Sequence, residues 1–337
     1  MIKITKPGLL TSVQDLGRYG YQKFGVIASG VMDQTAHRIA NLLVGNDENA
    51  ATLELTLLGP DMEFEKDALI SICGGDLSPK IDGNSVKLWR PVFVRAGSKL
   101  KFGGCKTGCR AYLAVAGGYT VNDVMESKST YVRAGIGGFN GRALLADDVL
   151  EIGKSSELSQ QIASLLADQS EEEKFAQVTW SIASEFMTLS ESKPKARVIK
   201  GRQYDWFTKE SQIKFFSEPF EITSKSDRMG YRLKGSKLEL ENEQEMLSEA
   251  VTFGTVQVPS EGNPIILLAD RQTTGGYPKI GQIASVDHSL MAQLKPGDKV
   301  SFVEITHEEA QKLYLHREDQ IQQLKQGIAL KIKQQSK

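Results

Sequence analysis

Two similar β units in tandem are what this sequence predicts, on three grounds. Apolar segments are short, as in Ala68-Leu-Ile-Ser-Ile-Cys73, Pro91-Val-Phe-Val-Arg95, Ala111-Tyr-Leu-Ala-Val-Ala116 and Ile265-Ile-Leu-Leu-Ala269, each bounded by Gly, Asp or Pro. Helical periodicity is sparse, which argues against a doubly wound α/β fold and for barrel-like strands. A set of residues in the first half also recurs in the second at nearly the same spacing.

Along the first half, a helix is predicted from about Met32 to Leu43, with Ile39, Leu42 and Leu43 on one face and Gly45-Asn46 as its stop. Residues 1–154 form the first β unit. Residues 155–191 change character: Ser155 to Asp168 is polar with helical period, and Glu171-Glu-Glu-Lys174 follows, so the stretch reads as a connector. Residues 192–305 form the second β unit. From residue 306 to 337 a long helix is predicted. Thr306-His-Glu-Glu309 is a capping box, and Ala310, Leu313, Tyr314, Ile321, Leu324 and Ile328 lie on one side behind it.

The recurrence is specific. Ser29-Gly-Val-Met-Asp33 matches Ser226-Asp-Arg-Met-Gly-Tyr231. Glu54 precedes Gly59 by 5 residues and Asp76 by 22, while Glu249 precedes Gly254 by 5 and Asp270 by 21. Each Asp closes an apolar strand and leads to a glycine turn and another strand, Ala96-Gly-Ser-Lys-Leu-Lys-Phe102 and Pro296-Gly-Asp-Lys-Val-Ser-Phe302. The interval from Asp to turn Gly is 21 residues in the first copy and 27 in the second. The excess falls around Arg271-Gln-Thr-Thr-Gly-Gly-Tyr-Pro-Lys279. An elaboration present in one copy is not needed for folding the other, and it marks a candidate functional loop on a rigid scaffold.

That loop is chemically dense. Asp270 at a strand end can orient or deprotonate a nucleophile, Lys279 can meet developing negative charge, and Gly275-Gly276 lets backbone N–H groups approach a ligand. The same residues also suit a polar turn with Tyr277-Pro278 packed on a barrel rim. Gln14-Asp15-Leu16-Gly17-Arg18 offers a second choice, between a turn capped by Asp15 and a cleft in which Gln14 and Arg18 recognise a carboxylate or amide. Arg228 suits a bidentate carboxylate clamp.

Composition narrows the classes. Forty-one basic against 42 acidic residues leave a net charge of -1, without the basic excess that non-specific nucleic-acid or membrane-surface binding needs. Three cysteines, Cys73, Cys105 and Cys109, cannot all pair with one another. With no signal-peptide-like start and no long apolar run, a cytoplasmic protein is expected. Gly104-Cys-Lys-Thr107 lacks the first glycine of a phosphate loop, and Gly135-Ile-Gly-Gly-Phe-Asn140 lacks the third glycine of a dinucleotide fingerprint. Cys105-x3-Cys109 has no second ligand pair, so no metal site is expected. The histidines, His37, His288, His307 and His316, are scattered; only His288, following the long loop, is a site candidate.

Eight motifs in order then carry a family resemblance: Thr11-x-x-Gln14-Asp-x-Gly-Arg18, Ser29-Gly-x-Met-Asp33, Ala40-Asn-Leu-Leu-Val-Gly-Asn46, Leu113-Ala-Val-Ala-Gly-Gly118, Ser129-Thr-Tyr131, Ser226-Asp-Arg-Met-Gly-Tyr231, Ser248-Glu249 and Ala269-Asp-Arg-Gln-Thr-Thr-Gly-Gly-Tyr-Pro-Lys279. Over about residues 1–305 the chain resembles the family of the 5-oxoprolinase C subunit, also called KipI antagonist or biotin-dependent carboxyltransferase family proteins. The module is also known as the second component of allophanate hydrolase. It departs from the family pattern at Val31, Glu126 and Ala146, all away from the loop.

The resemblance implies two cyclophilin-like β-barrel units and a partner, the KipI-like B subunit of 5-oxoprolinase. It also implies a third protein, the A subunit, with which they hydrolyse ATP and open the lactam of 5-oxo-L-proline to L-glutamate. Which of the three binds ATP is left open. On this footing the candidate catalytic residues are Asp270, Gln272, Tyr277 and Lys279. Candidate substrate contacts are Gln14, Arg18, Asp33, Arg228, Thr273, Thr274, Gly275 and Gly276. Two alternatives stand beside it: a urea amidolyase-type carboxyltransferase using carboxybiotin, and a regulatory protein that sequesters the KipI histidine-kinase inhibitor.

Overall fold

The computed structural model describes residues 1–168, 173–187, 193–242, 244 and 246–335. Part of the acidic run expected after the connector helix, and residues 188–191 of the connector, lie outside the described residues. The chain is mainly β, with helices α1 (Gln34–Leu43), α2 (Glu157–Ala167), α3 (Lys209–Ser217), α4 (His288–Gln293) and α5 (His307–Gln335). It forms two compact units: Met1–Gly17 with Asp33–Leu189 and Asp319–Lys337, and Arg18–Met32 with Ser190–Glu318. Among the described residues no helix is long and apolar enough to cross a membrane.

The first unit holds two six-stranded sheets around one core. In one, the strands Val149–Leu150, Ile2–Lys6, Asp61–Phe64, Lys99–Lys101, Lys80–Ile81 and Asn84–Ser85 follow in that order. Ile2 pairs with Phe64, and Met62 with both Ile4 and Leu100, so alternate residues face inward and charged neighbours face out. The other sheet is centred on Ala68–Asp76 and Thr107–Val115, which are buried almost continuously because α1 packs on them. Asp33 caps α1, its Oδ1 accepting the Ala36 N–H at 3.0 Å, so the helix starts just after the predicted Met32.

The second unit is a closed seven-stranded barrel. Lys195–Lys200, Lys279–Ile283, Thr255–Gln257, Ile265–Leu267, Gly230–Lys234, Phe220–Ile222 and Lys299–Glu304 follow in order, and the last pairs in parallel with the first. Phe215 of α3 fills its interior, with ring centroids 4.8 Å from Phe302 and 6.3 Å from Phe220. Gly281 sits where a Cβ would come within 2.5 Å of Val198, so the strand passes close to its neighbour only as glycine.

The repeat seen in sequence is visible in hydrogen bonds. Gly97 has φ of 79° and Gly297 of 92°, a left-handed conformation that favours glycine. Gly97 N–H donates to Phe64 O and Gly297 N–H to Ile222 O; in return Phe64 N–H donates to Ser98 O and Ile222 N–H to Asp298 O. The two turns are one motif built twice. The capping box also forms, with Thr306 N–H donating to Glu309 Oε2 at 3.0 Å and Glu309 N–H to Thr306 Oγ1 at 3.2 Å. On α5 the buried residues are Ala310, Ile321, Ile328 and Ile332, whereas Tyr314, expected on that stripe, is exposed.

Candidate functional site

The elaborated loop springs from the barrel strand Ile265–Leu267. Gly230 pairs with Leu267, and the ladder runs on past the strand end, with Leu268 N–H donating to Met229 O and Asp270 N–H to Arg228 O at 2.8 Å. That register sets the Asp270 and Arg228 side chains side by side. Arg228 Nε donates to Asp270 Oδ2 at 2.9 Å and Nη2 to Oδ1 at 3.1 Å; the Ser29 hydroxyl donates to Oδ1 at 2.6 Å. Both charged side chains are about nine-tenths buried, 8% and 10% exposed. Arg228 also donates to the Gly30 carbonyl.

The far end of the loop is held in the same way. Thr274–Gly275 pairs with Glu249–Ala250 in a short antiparallel ribbon, extended by Val251 N–H to Thr273 O. Lys279 Nζ donates to Glu249 Oε2 at 2.7 Å, and Arg202 Nη1 stands 3.4 Å from Glu249 Oε1. The Lys279 ammonium holds the Glu249 carboxyl below its usual range. Gln203 Oε1 accepts the Lys279 N–H at 3.3 Å.

Between these two clamps the chemistry is uncommitted. The side chains of Gln272, Thr273 and Thr274 make no hydrogen bond to any described residue, and Tyr277 is 48% exposed. A loop with both ends ion-paired and a polar, unsatisfied middle is arranged to hold a small polar ligand by hydrogen bonds.

A family model, "Carboxyltransferase domain, subdomain A and B", matches residues 24–304. The chain belongs to this family. It is 40% identical to the C subunit of 5-oxoprolinase from Escherichia coli (strain K12) over 320 residues, 95% of each chain. It is 35% identical to the corresponding 5-oxoprolinase C subunit of Haemophilus influenzae over 328 residues, 97% of this chain and 99% of the other. Among solved structures it is similar to the Kluyveromyces lactis urea amidolyase, with a TM-score of 0.84 and 28% identity. That match covers 95% of this chain and 20% of the much longer amidolyase.

In this carboxyltransferase-domain protein the predicted site residues separate. Asp270, Gln272, Thr273, Thr274, Gly275, Gly276, Tyr277, Lys279 and Arg228 come together in the second unit. Arg18 is also in that unit and fully buried. Gln14 and Asp33 belong to the first unit. Gln14 Nε2 donates to Ser12 Oγ and to Thr130 O, and Asp33 caps α1. Asp15 caps its turn through Gly17 N–H and gathers Ser127, Lys128 and Ser129 onto its carboxylate.

Arg228, expected to be offered to a substrate carboxylate, uses its fork on Asp270. Sequence reasoning does not name the partners Ser29, Glu249 and Arg202 as site residues, although the repeat and motifs single out Ser29 and Glu249. His288 is partly buried with its ring 4.4 Å from Phe253, and burial pushes its pKa down to about 4.

Gly275 serves packing as well as approach. A Cβ there would come 2.2 Å from Nε2 of Gln257, a buried residue. Gly275→Ala is expected to destabilise by about 1–3 kcal/mol, the usual effect of overpacking. Adding Gln257→Ala restores most of the loss, as read from urea-denaturation midpoints. Full loss in the double variant would show that the glycine is required for its backbone instead.

Proposed function

We propose that this chain is the C subunit of a cytoplasmic, ATP-dependent 5-oxoprolinase. With the A and B subunits it would open the lactam of 5-oxo-L-proline to L-glutamate. What carries this reading is end-to-end similarity to relatives named as the C subunit of 5-oxoprolinase, with 95–99% of those relatives covered. ATP is a co-substrate of the complex in this reading, and no residue of this chain is assigned to it.

The lactam-binding element proposed is the clamped loop. A lactam is an amide whose carbonyl oxygen gains negative charge as the ring opens, and fixed donors aimed at that oxygen lower the barrier. Gln272, Thr273 and Thr274 are the proposed donors from side chains, and the exposed Gly276 and Tyr277 lie beside them. Lys279, paired to Glu249, supplies a nearby positive charge. Asp270, held by Arg228 and Ser29, is a positioning residue that fixes the origin of the loop.

The test is reconstitution. Glutamate release from 5-oxo-L-proline and ATP is measured with all three proteins of the complex, omitting each in turn. Release only from the full set is expected, with Lys279→Ala in this chain lowering it more than tenfold. Equal release from the two partner proteins alone would overturn the reading.

A second reading, carboxyl transfer from carboxybiotin, is favoured by the similarity to urea amidolyase. Avidin discriminates the two, because it abolishes only the biotin-dependent reaction.

A further inference from the structure

Arg271 carries a charge with no counter-charge. It lies between Asp270, whose carboxylate is taken by Arg228 and Ser29, and the polar run Gln272 to Thr274. Its side chain is partly buried, and its hydrogen bonds go to two backbone carbonyls, Nε to Val251 O at 3.4 Å and Nη1 to Leu268 O at 3.2 Å. Among the described residues no carboxylate lies within ion-pairing distance, and Nη2 has no hydrogen-bond partner.

The titratable neighbours are Tyr19, whose phenol is more than half exposed, and His288, which burial keeps neutral. Burial pushes Arg271 below the usual guanidinium range, a sign that its charge is held against the desolvation penalty. A partly buried guanidinium with no counter-charge gains when an anion pairs with it.

We propose that Arg271 holds the carboxylate of the lactam acid, placing the ring amide against Gln272, Thr273 and Thr274. This rests on the reading that the loop meets 5-oxo-L-proline. The guanidinium is the right group for it: planar, permanently charged and able to give parallel N–H bonds to both carboxylate oxygens. Its free Nη2 edge is the donor left over for the ligand. The position next to Asp270 matters too, because the buried Arg228–Asp270 pair fixes the backbone from which Arg271 projects.

The experiment compares two substrates in the reconstituted complex: 5-oxo-L-proline, and 2-pyrrolidinone, which has the same ring without the carboxylate. Arg271→Gln is expected to raise the KM for 5-oxo-L-proline about 100-fold with little change in kcat, and Arg271→Lys about tenfold. On 2-pyrrolidinone the native and Arg271→Gln complexes should perform alike. A KM within threefold of native, or an equal penalty on both substrates, overturns the assignment while leaving the proposed function intact.

A native complex that makes no glutamate defeats the functional reading instead. The carboxylate assignment is then decided on the chain alone, from thermal midpoints. Millimolar 5-oxo-L-proline should raise the midpoint of native but not of Arg271→Met, and 2-pyrrolidinone should raise neither. No shift of native protein with 5-oxo-L-proline, or an equal shift in the variant, rejects the proposal.

Discussion

Asp270→Asn is expected to cost about 3–5 kcal/mol of unfolding free energy, because it leaves a buried guanidinium without its carboxylate. Arg228 and Asp270 are both about 90% buried and share two hydrogen bonds, and the Ser29 hydroxyl completes Oδ1. Asparagine keeps the shape of the side chain but not the charge, and it presents an NH2 to donors. The arginine then keeps the Gly30 carbonyl and at best one amide oxygen as acceptors, with no opposite charge in place of the carboxylate. Arg228→Met alone should cost a similar amount. The double variant Arg228→Met/Asp270→Asn should lose less than the sum of the two single ones, because neither charge is then stranded. Urea denaturation of the four proteins closes the cycle. Additive losses would mean the two side chains contribute independently and the loop is not anchored by their pairing.

Acid should unfold the chain through two histidines. His37 on α1 is fully buried with Nδ1 2.9 Å from Thr52 Oγ1, and His288 is partly buried with its ring against Phe253; burial pushes both from 6.5 to about 4. Between pH 6.5 and 4 the unfolded chain therefore binds protons that the folded chain refuses. The stability these neutral rings allow is complete above about pH 6.5 and falls as the pH drops towards 4. The loss is on the order of 3 kcal/mol for each residue. Urea midpoints at pH 7, 6, 5 and 4.5 should fall steeply, and less so in His37→Gln and in His288→Gln. Slopes identical to native in both variants would place the acid sensitivity elsewhere.

The architecture was legible because the signals were local. Gly97 and Gly297 announced the same turn twice, since a left-handed residue before a strand needs glycine; the Thr306–Glu309 box announced a helix start through bonds spanning three residues. The extra length between Asp270 and Gly297 drew attention to the loop for the same reason. Roles within the loop were harder to read. Arg228 looked available because its partner lies 42 residues away and meets it only through the pairing of Gly230 with Leu267. Glu249 reaches Lys279 across a ribbon that no short-range pattern specifies. Arg271, flanked by more conspicuous residues, becomes distinctive only once Asp270 is seen to be occupied.

The two units interleave along the chain, and this bears on how the protein is made. Arg18–Met32 belongs with residues that begin at Ser190, and Asp319–Lys337 belongs with the first unit. At roughly 5–20 residues per second, the early segment waits on the order of 10–30 s on the ribosome before its partners emerge. Asp319–Lys337 joins the first unit only after the second has been synthesised. During that interval Ile27, Ala28, Val31 and Met32, all buried at the end, are available to solvent or to a chaperone. A stop codon near residue 190 would therefore leave the first unit without Asp319–Lys337 and carry Arg18–Met32 without the rest of its own unit.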